Sequence, residues 1–241
     1  SLFHGALQAT AGDFDGDGHA DLAVGETARL VTTGQQTIDQ DDSGALYVFS
    51  HVADGSVLKA LAEADATVGG EFEFDGFGVL PATPAFDLDL DGLDDLLVGA
   101  ATANVTTTEV IPEGGKIYVI YGSSVGLTTD NSLGVPSAQR FSMGELNTGG
   151  LLAPFAATTE DDVPGTFSFG AALAWGDFNG DGFGDLAVGS PREMVNNFED
   201  FPTMAGAVGI IFGSSTGLEV AGSQVFTQES PGIPGNSIGG D

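Results

Sequence analysis

The chain has 241 residues, enough to bury a core in one domain or a short repeat array, and 41% of them are hydrophobic, which sets it apart from a disordered segment. Five Lys and Arg against 35 Asp and Glu leave a formal charge of −30, the reverse of what binding nucleic acid or an anionic membrane surface requires. With no cysteine there are no disulfides or thiolate metal sites, and 38 glycines with 10 prolines call for many turns between short strands.

Taken in chain order, the start Ser1-Leu2-Phe3-His4 has no basic n-region, so any export signal lies upstream or has been removed. Phe3 and Gly5 lead into a first acidic loop, Gly12-Asp13-Phe14-Asp15-Gly16-Asp17-Gly18-His19-Ala20-Asp21-Leu22-Ala23-Val24-Gly25. After a spacer from Glu26 to Ser43 comes a strand-like run, Gly44-Ala45-Leu46-Tyr47-Val48-Phe49. Phe77 and Gly78 then open a second copy with the loop Phe86-Asp87-Leu88-Asp89-Leu90-Asp91-Gly92-Leu93-Asp94-Asp95-Leu96-Leu97-Val98-Gly99. A spacer from Ala100 to Gly114 leads to the run Gly115 to Tyr121 and the turn Gly122-Ser123-Ser124-Val125-Gly126-Leu127. Phe169 and Gly170 open the third copy, Gly176-Asp177-Phe178-Asn179-Gly180-Asp181-Gly182-Phe183-Gly184-Asp185-Leu186-Ala187-Val188-Gly189. Its spacer runs from Ser190 to Ala205, its strand-like run from Gly206 to Phe212, and its turn is Gly213-Ser214-Ser215-Thr216-Gly217-Leu218. The three loops align without gaps.

Each unit therefore predicts strand, acidic loop, strand, spacer, strand, turn and a fourth strand, because Val, Ile, Tyr and Phe cluster between glycine punctuation. The units span about 1–75, 76–167 and 168–236, and Ser237-Ile238-Gly239-Gly240-Asp241 reads as the opening of a fourth. A four-stranded unit in tandem is the layout of a β-propeller blade, so the expected class is all-β. No apolar run reaches the length of a bilayer span, so membrane insertion is not expected.

The loops carry oxygen-bearing side chains at alternate positions, in the pattern Asp-x-Asp/Asn-x-Asp-Gly-x-x-Asp. Calcium takes six to eight oxygen ligands, and clustered carboxylates without a cation repel one another. The expected donors are the side chains of Asp13, Asp15, Asp17 and Asp21, of Asp87, Asp89, Asp91 and Asp95, and of Asp177, Asn179, Asp181 and Asp185, with a backbone carbonyl from His19, Leu93 or Phe183. Three calcium sites are expected, one per loop. The start of each loop matches EF-hand spacing, but Val24, Val98 or Val188 stands where that loop has its bidentate Glu. Mg²⁺ fits less well, since it demands a small octahedral site.

These motifs resemble FG-GAP repeats, the blades of the integrin α-subunit propeller, also found in many bacterial and archaeal surface proteins. The segments Ser168 to Gly182 and Asp185-Leu186-Ala187-Val188-Gly189-Ser190-Pro191 carry the likeness most clearly. The resemblance implies a structural Ca²⁺ on the lower face of each blade and ligand-binding loops on the opposite face. It also implies a larger ring, since three blades do not close one.

The function expected from this reading is extracellular, non-enzymatic recognition of a protein or glycan, or association with further blades of the same or another chain. The spacers, above all the excursion from Thr128 to Thr166, would project from the ligand face. No catalytic or organic-cofactor residues are expected: His4, His19 and His51 lack a Ser or Cys nucleophile motif around them. The alternative is the propeller domain of a calcium-dependent polysaccharide-degrading enzyme. That needs a cationic cluster, and only Arg29, Lys59, Lys116, Arg140 and Arg192 are available. Asn104-Val105-Thr106 is a lone glycosylation sequon.

Overall fold

The computed structural model describes residues 7–27, 44–50, 66–69, 76–102, 105–106, 110–111, 114–127, 138–142, 145–146, 168–195 and 203–234. Every strand pairing within its sheets is antiparallel. The first sheet runs β1 (Leu7–Gly12), β2 (Asp21–Glu26), β3 (Ala45–Phe49) and β4 (Ala66–Gly69), hydrogen-bonded in that order. The second begins with β5 (Phe77–Val79) and β6 (Leu96–Ala100). A small ribbon of β7 (Val105–Thr106) and β8 (Val110–Ile111) follows, and β9 (Lys116–Ile120) and β10 (Ala138–Phe141) complete the sheet. The third has β11 (Ala172–Gly176) and β12 (Asp185–Ser190), a ribbon of β13 (Met194–Val195) and β14 (Thr203–Met204), then β15 (Ala207–Ser214) and β16 (Gly217–Phe226).

The class is all-β, and the sheets are blades of four antiparallel strands each. In every one the acidic loop joins the first two strands, while the spacer joins the second and third at the opposite end. In blades two and three that spacer is built into a two-stranded ribbon. The two similar turns share a local lock, with Ser123 Oγ donating to the Gly126 carbonyl at 2.6 Å and Ser214 Oγ to the Gly217 carbonyl at 3.0 Å. Their outcomes differ: Ser214 and Gly217 close a tight hairpin into β16, whereas β10 begins only at Ala138. Phe3, Gly5, Asn104, Ser237 to Asp241, and most of the spacer from Glu26 to Ser43 and of the Thr128–Thr166 excursion lie outside the described residues.

The blades stack through apolar faces. Ala23, Leu46 and Val48 of the first blade meet Phe77, Leu96, Val98, Tyr118 and Ile120 of the second in one buried cluster. Leu97, Ile117 and Val119, on the other side of the second blade, meet Phe169, Leu186, Val188 and Ile211 of the third. Strands β6 and β9 are consequently buried along both faces, and so is β3, whose other face forms a cluster of Ala45, Tyr47 and Phe49 within the first blade. Two glycines make the close approach possible. A Cβ on Gly25 would collide with the Gly78 carbonyl, and one on Gly99 with the Gly170 carbonyl. The second residue of the first two acidic loops also plugs the joint, since Phe14 and Leu88 are fully buried in these two clusters.

The equivalent side of the third blade is open. Phe178, the counterpart of Phe14, is 51% exposed, and Val208 and Phe226 are 43% and 39% exposed. Strand β15 alternates in burial accordingly. At Gly189, the counterpart of Gly25 and Gly99, the nearest atom to the missing Cβ is the Ala172 methyl at 3.2 Å and the nearest backbone atom is the Ala172 carbonyl oxygen at 3.7 Å, an ordinary contact within the same blade.

Candidate cation-binding loops

Three side chains shape each loop. The first aspartate accepts from the backbone at the far side of the turn: Asp13 takes the N–H groups of Asp17 (3.1 Å) and Gly18 (2.9 Å). Asp87 takes those of Asp91 (3.0 Å) and Gly92 (2.9 Å), and Asp177 those of Gly180, Asp181 and Gly182 at 2.7–3.1 Å. The third residue caps the fifth, with Asp15, Asp89 and Asn179 accepting from Asp17, Asp91 and Asp181. The fifth caps the seventh: Asp17 accepts from His19 N–H at 2.8 Å, Asp91 from Leu93 at 2.9 Å and Asp181 from Phe183 at 2.9 Å. These are Asx turns in series, and they wind the chain so that alternate carboxylates face inward.

The ninth residue does something else. Asp21, Asp95 and Asp185 are buried, at 1%, 1% and 0% exposure. One oxygen of each accepts the N–H of the second loop residue, from Phe14 (3.1 Å), Leu88 (2.8 Å) and Phe178 (2.7 Å). The other oxygen of Asp95 accepts from Gly122 at 2.9 Å, and that of Asp185 from Gly213 at 2.9 Å. These carboxylates therefore pin the loop to the end of the blade's third strand.

The fourth loop position distinguishes the second copy. Gly16 and Gly180 hold φ of 72° and 79°, left-handed values natural to glycine, whereas Leu90 adopts φ 64° at the same place. Its side chain is 55% exposed, so packing does not repay the strain.

Carboxylates converge in the first two loops, in part of the sets expected from the sequence, while among the described residues the third shows no such cluster. Oxygens of Asp13, Asp15 and Asp21 lie within 4.8 Å of one another, as do those of Asp87, Asp89 and Asp91. Burial, and then the charges of Asp91 and Asp87, raise the Asp89 carboxyl above its ordinary range. Burial likewise pushes Asp95 up to about 8, against the pull of the Gly122 and Leu88 N–H groups. The donor set is hard oxygen crowded with like charge, which is the chemistry that suits a divalent cation such as calcium. In the third loop Asn179 takes the third position, and its Nδ2 donates to Asp181 at 2.8 Å. His19 lies beside Asp17 through its ring, Nδ1 to Oδ1 at 3.2 Å.

Sequence reasoning missed Asp94, the eighth residue of the second loop. Its Oδ2 accepts the Asp13 N–H at 2.8 Å across the blade boundary. An acid beside Asp95 carries no sequence signal of such a role.

The FG-GAP repeat family model matches residues 6–49 and 169–211. These segments are FG-GAP repeats. The second loop falls outside the matched segments, yet its hydrogen bonds repeat those of the other two. Among relatives of the chain, "Integrin alpha-PS5" of Drosophila melanogaster is 28% identical across 84% of it. "Integrin alpha-7" of Rattus norvegicus is 32% identical across 80%, and "Phosphatidylinositol-glycan-specific phospholipase D" of Mus musculus 35% identical across 54%. The chain spans only 17%, 13% and 12% of those proteins' own lengths. Among solved structures, "Bacillus licheniformis Rhamnogalacturonan Lyase PL11" aligns with 95% of this chain and 35% of its own, at TM-score 0.48 and 12% identity. Among the described residues no helix is long and apolar enough to cross a membrane.

Proposed function

We propose that the chain is an extracellular FG-GAP propeller segment that works by adhesion or recognition, with calcium ions in structural roles at one end of its blades. The observation that carries this reading is the threefold repeat of one hydrogen-bond scaffold, which in the first two loops brings three carboxylates within 4.8 Å of one another. The proposed ligands are the side chains at the first, third, fifth and ninth positions of each loop. They are Asp13, Asp15, Asp17 and Asp21, then Asp87, Asp89, Asp91 and Asp95, then Asp177, Asn179, Asp181 and Asp185. The carbonyls of His19, Leu93 and Phe183 complete the sets.

Recognition of a protein or glycan is assigned to the opposite end, where the spacers carry the β7–β8 and β13–β14 ribbons. The open side of the third blade is assigned to a further blade of the same or another chain, which would cover Phe178, Val208 and Phe226 and use the room at Gly189. The repeats are assigned as 1–75, 76–167 and 168–236. Similarity to integrin α chains supports binding over catalysis.

The test is thermal unfolding with calcium and with excess EDTA. A ligand that binds only the folded form stabilises by about 2.7 kcal/mol per site at a hundredfold excess over Kd. Chelation should therefore lower the Tm by many degrees, and re-added calcium should restore it. A melt that neither treatment moves would overturn the cation assignment.

A further inference from the structure

The first and second acidic loops are joined by a reciprocal lock. Asp94 Oδ2 accepts the Asp13 N–H at 2.8 Å, and the Asp94 N–H donates to the Asp13 carbonyl at 3.0 Å. Asp13 is also the residue whose own carboxylate receives Asp17 and Gly18 and so shapes the first loop. Two further contacts cross the same joint. The Ser123 N–H donates to the Phe14 carbonyl at 3.1 Å, and the Leu93 side chain lies over the bare Cα of Gly16.

The second and third loops meet differently. Gly184 stands where Asp94 does and offers no side chain; a Cβ there would collide with the ring of Phe86. That joint is an apolar contact, while the first is a pair of directed hydrogen bonds, one of them to a charged acceptor.

We propose that Asp94 is a positioning residue that couples the first two cation sites, so that filling the second loop raises the affinity of the first. This rests on the reading of the loops as calcium sites. An ion in the second loop draws Asp87, Asp89 and Asp91 together and fixes the segment through Leu93 to Asp95. Asp94 then holds the Asp13 backbone in place, and the first loop no longer loses that freedom when its own ion arrives. By linkage the first ion must favour the second equally. The third loop, with no such lock, binds independently.

The experiment is calcium titration of the full chain by isothermal calorimetry, with hydrogen exchange at the Asp13 amide as a second readout. Asp89→Ala combined with Asp91→Ala empties the second loop, and Asn179→Ala combined with Asp181→Ala empties the third. Emptying the second should weaken the first site about 5- to 20-fold, within the usual range of coupling, while emptying the third leaves the first unchanged. Asp94→Ala should still bind three ions, with the first-loop affinity lowered by a similar factor and the Asp13 amide exchanging faster. Asp94→Asn, which keeps an acceptor of the same shape, should recover most of both and guards against a variant that merely folds poorly. An Asp94→Ala isotherm identical to wild type would overturn the coupling while leaving the sites intact. Equal weakening on emptying either loop would overturn it as well. A wild-type chain that takes up no calcium would overturn both the coupling and the sites beneath it.

Discussion

The two ends of the same blades are organised by different rules. At the acidic-loop end, three copies repeat the same side-chain-to-backbone hydrogen bonds, residue for residue. At the opposite end the described spacers share only a short ribbon, and each is held by its own contacts. Blade three shows the contrast within one strand. Asp185 opens β12, is fully buried, and accepts N–H groups from Phe178, Asn179 and Gly213. Glu193 follows β12, is almost as buried, and accepts one hydroxyl, from Ser190 at 2.9 Å. Burial there pushes the Glu193 carboxyl up to about 7, with the Ser190 hydroxyl pulling weakly the other way. At one end the buried carboxylates accept backbone donors; at the other the buried carboxyl accepts a side-chain hydroxyl.

The largest test of this contrast is Asp185→Ala, measured by urea unfolding in EDTA so that no cation contributes. Three backbone N–H groups lose their acceptor, and each buried orphan costs about 1–3 kcal/mol, so a loss of about 4 kcal/mol is expected. Asp95→Ala, which strands Leu88 and Gly122, should cost somewhat less. A loss under about 1 kcal/mol in both would show that the carboxylates do not hold the loop end together.

A smaller effect is expected from Glu193→Gln. A carboxyl whose folded pKa is raised from 4.5 to about 7 contributes stability that is complete below pH 4.5 and lost as pH rises through 7. The substitution keeps an acceptor for Ser190 and removes the charge. It should therefore gain about 2 kcal/mol at pH 8 and nothing at pH 4.5. Parallel unfolding curves for the two proteins across that range would erase the distinction between the ends.

The smallest is Leu90→Gly, within the loop end itself. Relief of a left-handed leucine is worth about 1 kcal/mol, and the freer unfolded chain takes back about half. A net gain of about 0.5 kcal/mol in EDTA would show that the second loop keeps its shape through Asp87 and Asp95, against its local preference. A loss would mean that Leu90 packs usefully.

Much of the loop end could be read in advance. The first, third and fifth acids, the glycine after them and the strands on either side follow from local rules, because Asx turns and hairpins involve residues close in sequence. The ninth residue was read only as a ligand; that Asp95 and Asp185 also pin the third strand depends on Gly122 and Gly213, far along the chain. The role of Phe14 and Leu88 as plugs between blades could not be read either, since their neighbours belong to the next repeat. Nor could the different fates of the turns at Gly122 and Gly213, whose sequences nearly coincide.

The sequence by itself determined the blade unit, its all-β class and the Asx turns that shape each loop. All three rest on periodic apolar patterning and on hydrogen bonds that span a few residues. The tertiary structure decided which faces are covered, which glycines are needed for close approach, and that Asp94 ties one loop to the next. Those features depend on the stacking of one blade against another, and contacts between residues some eighty positions apart leave no local pattern.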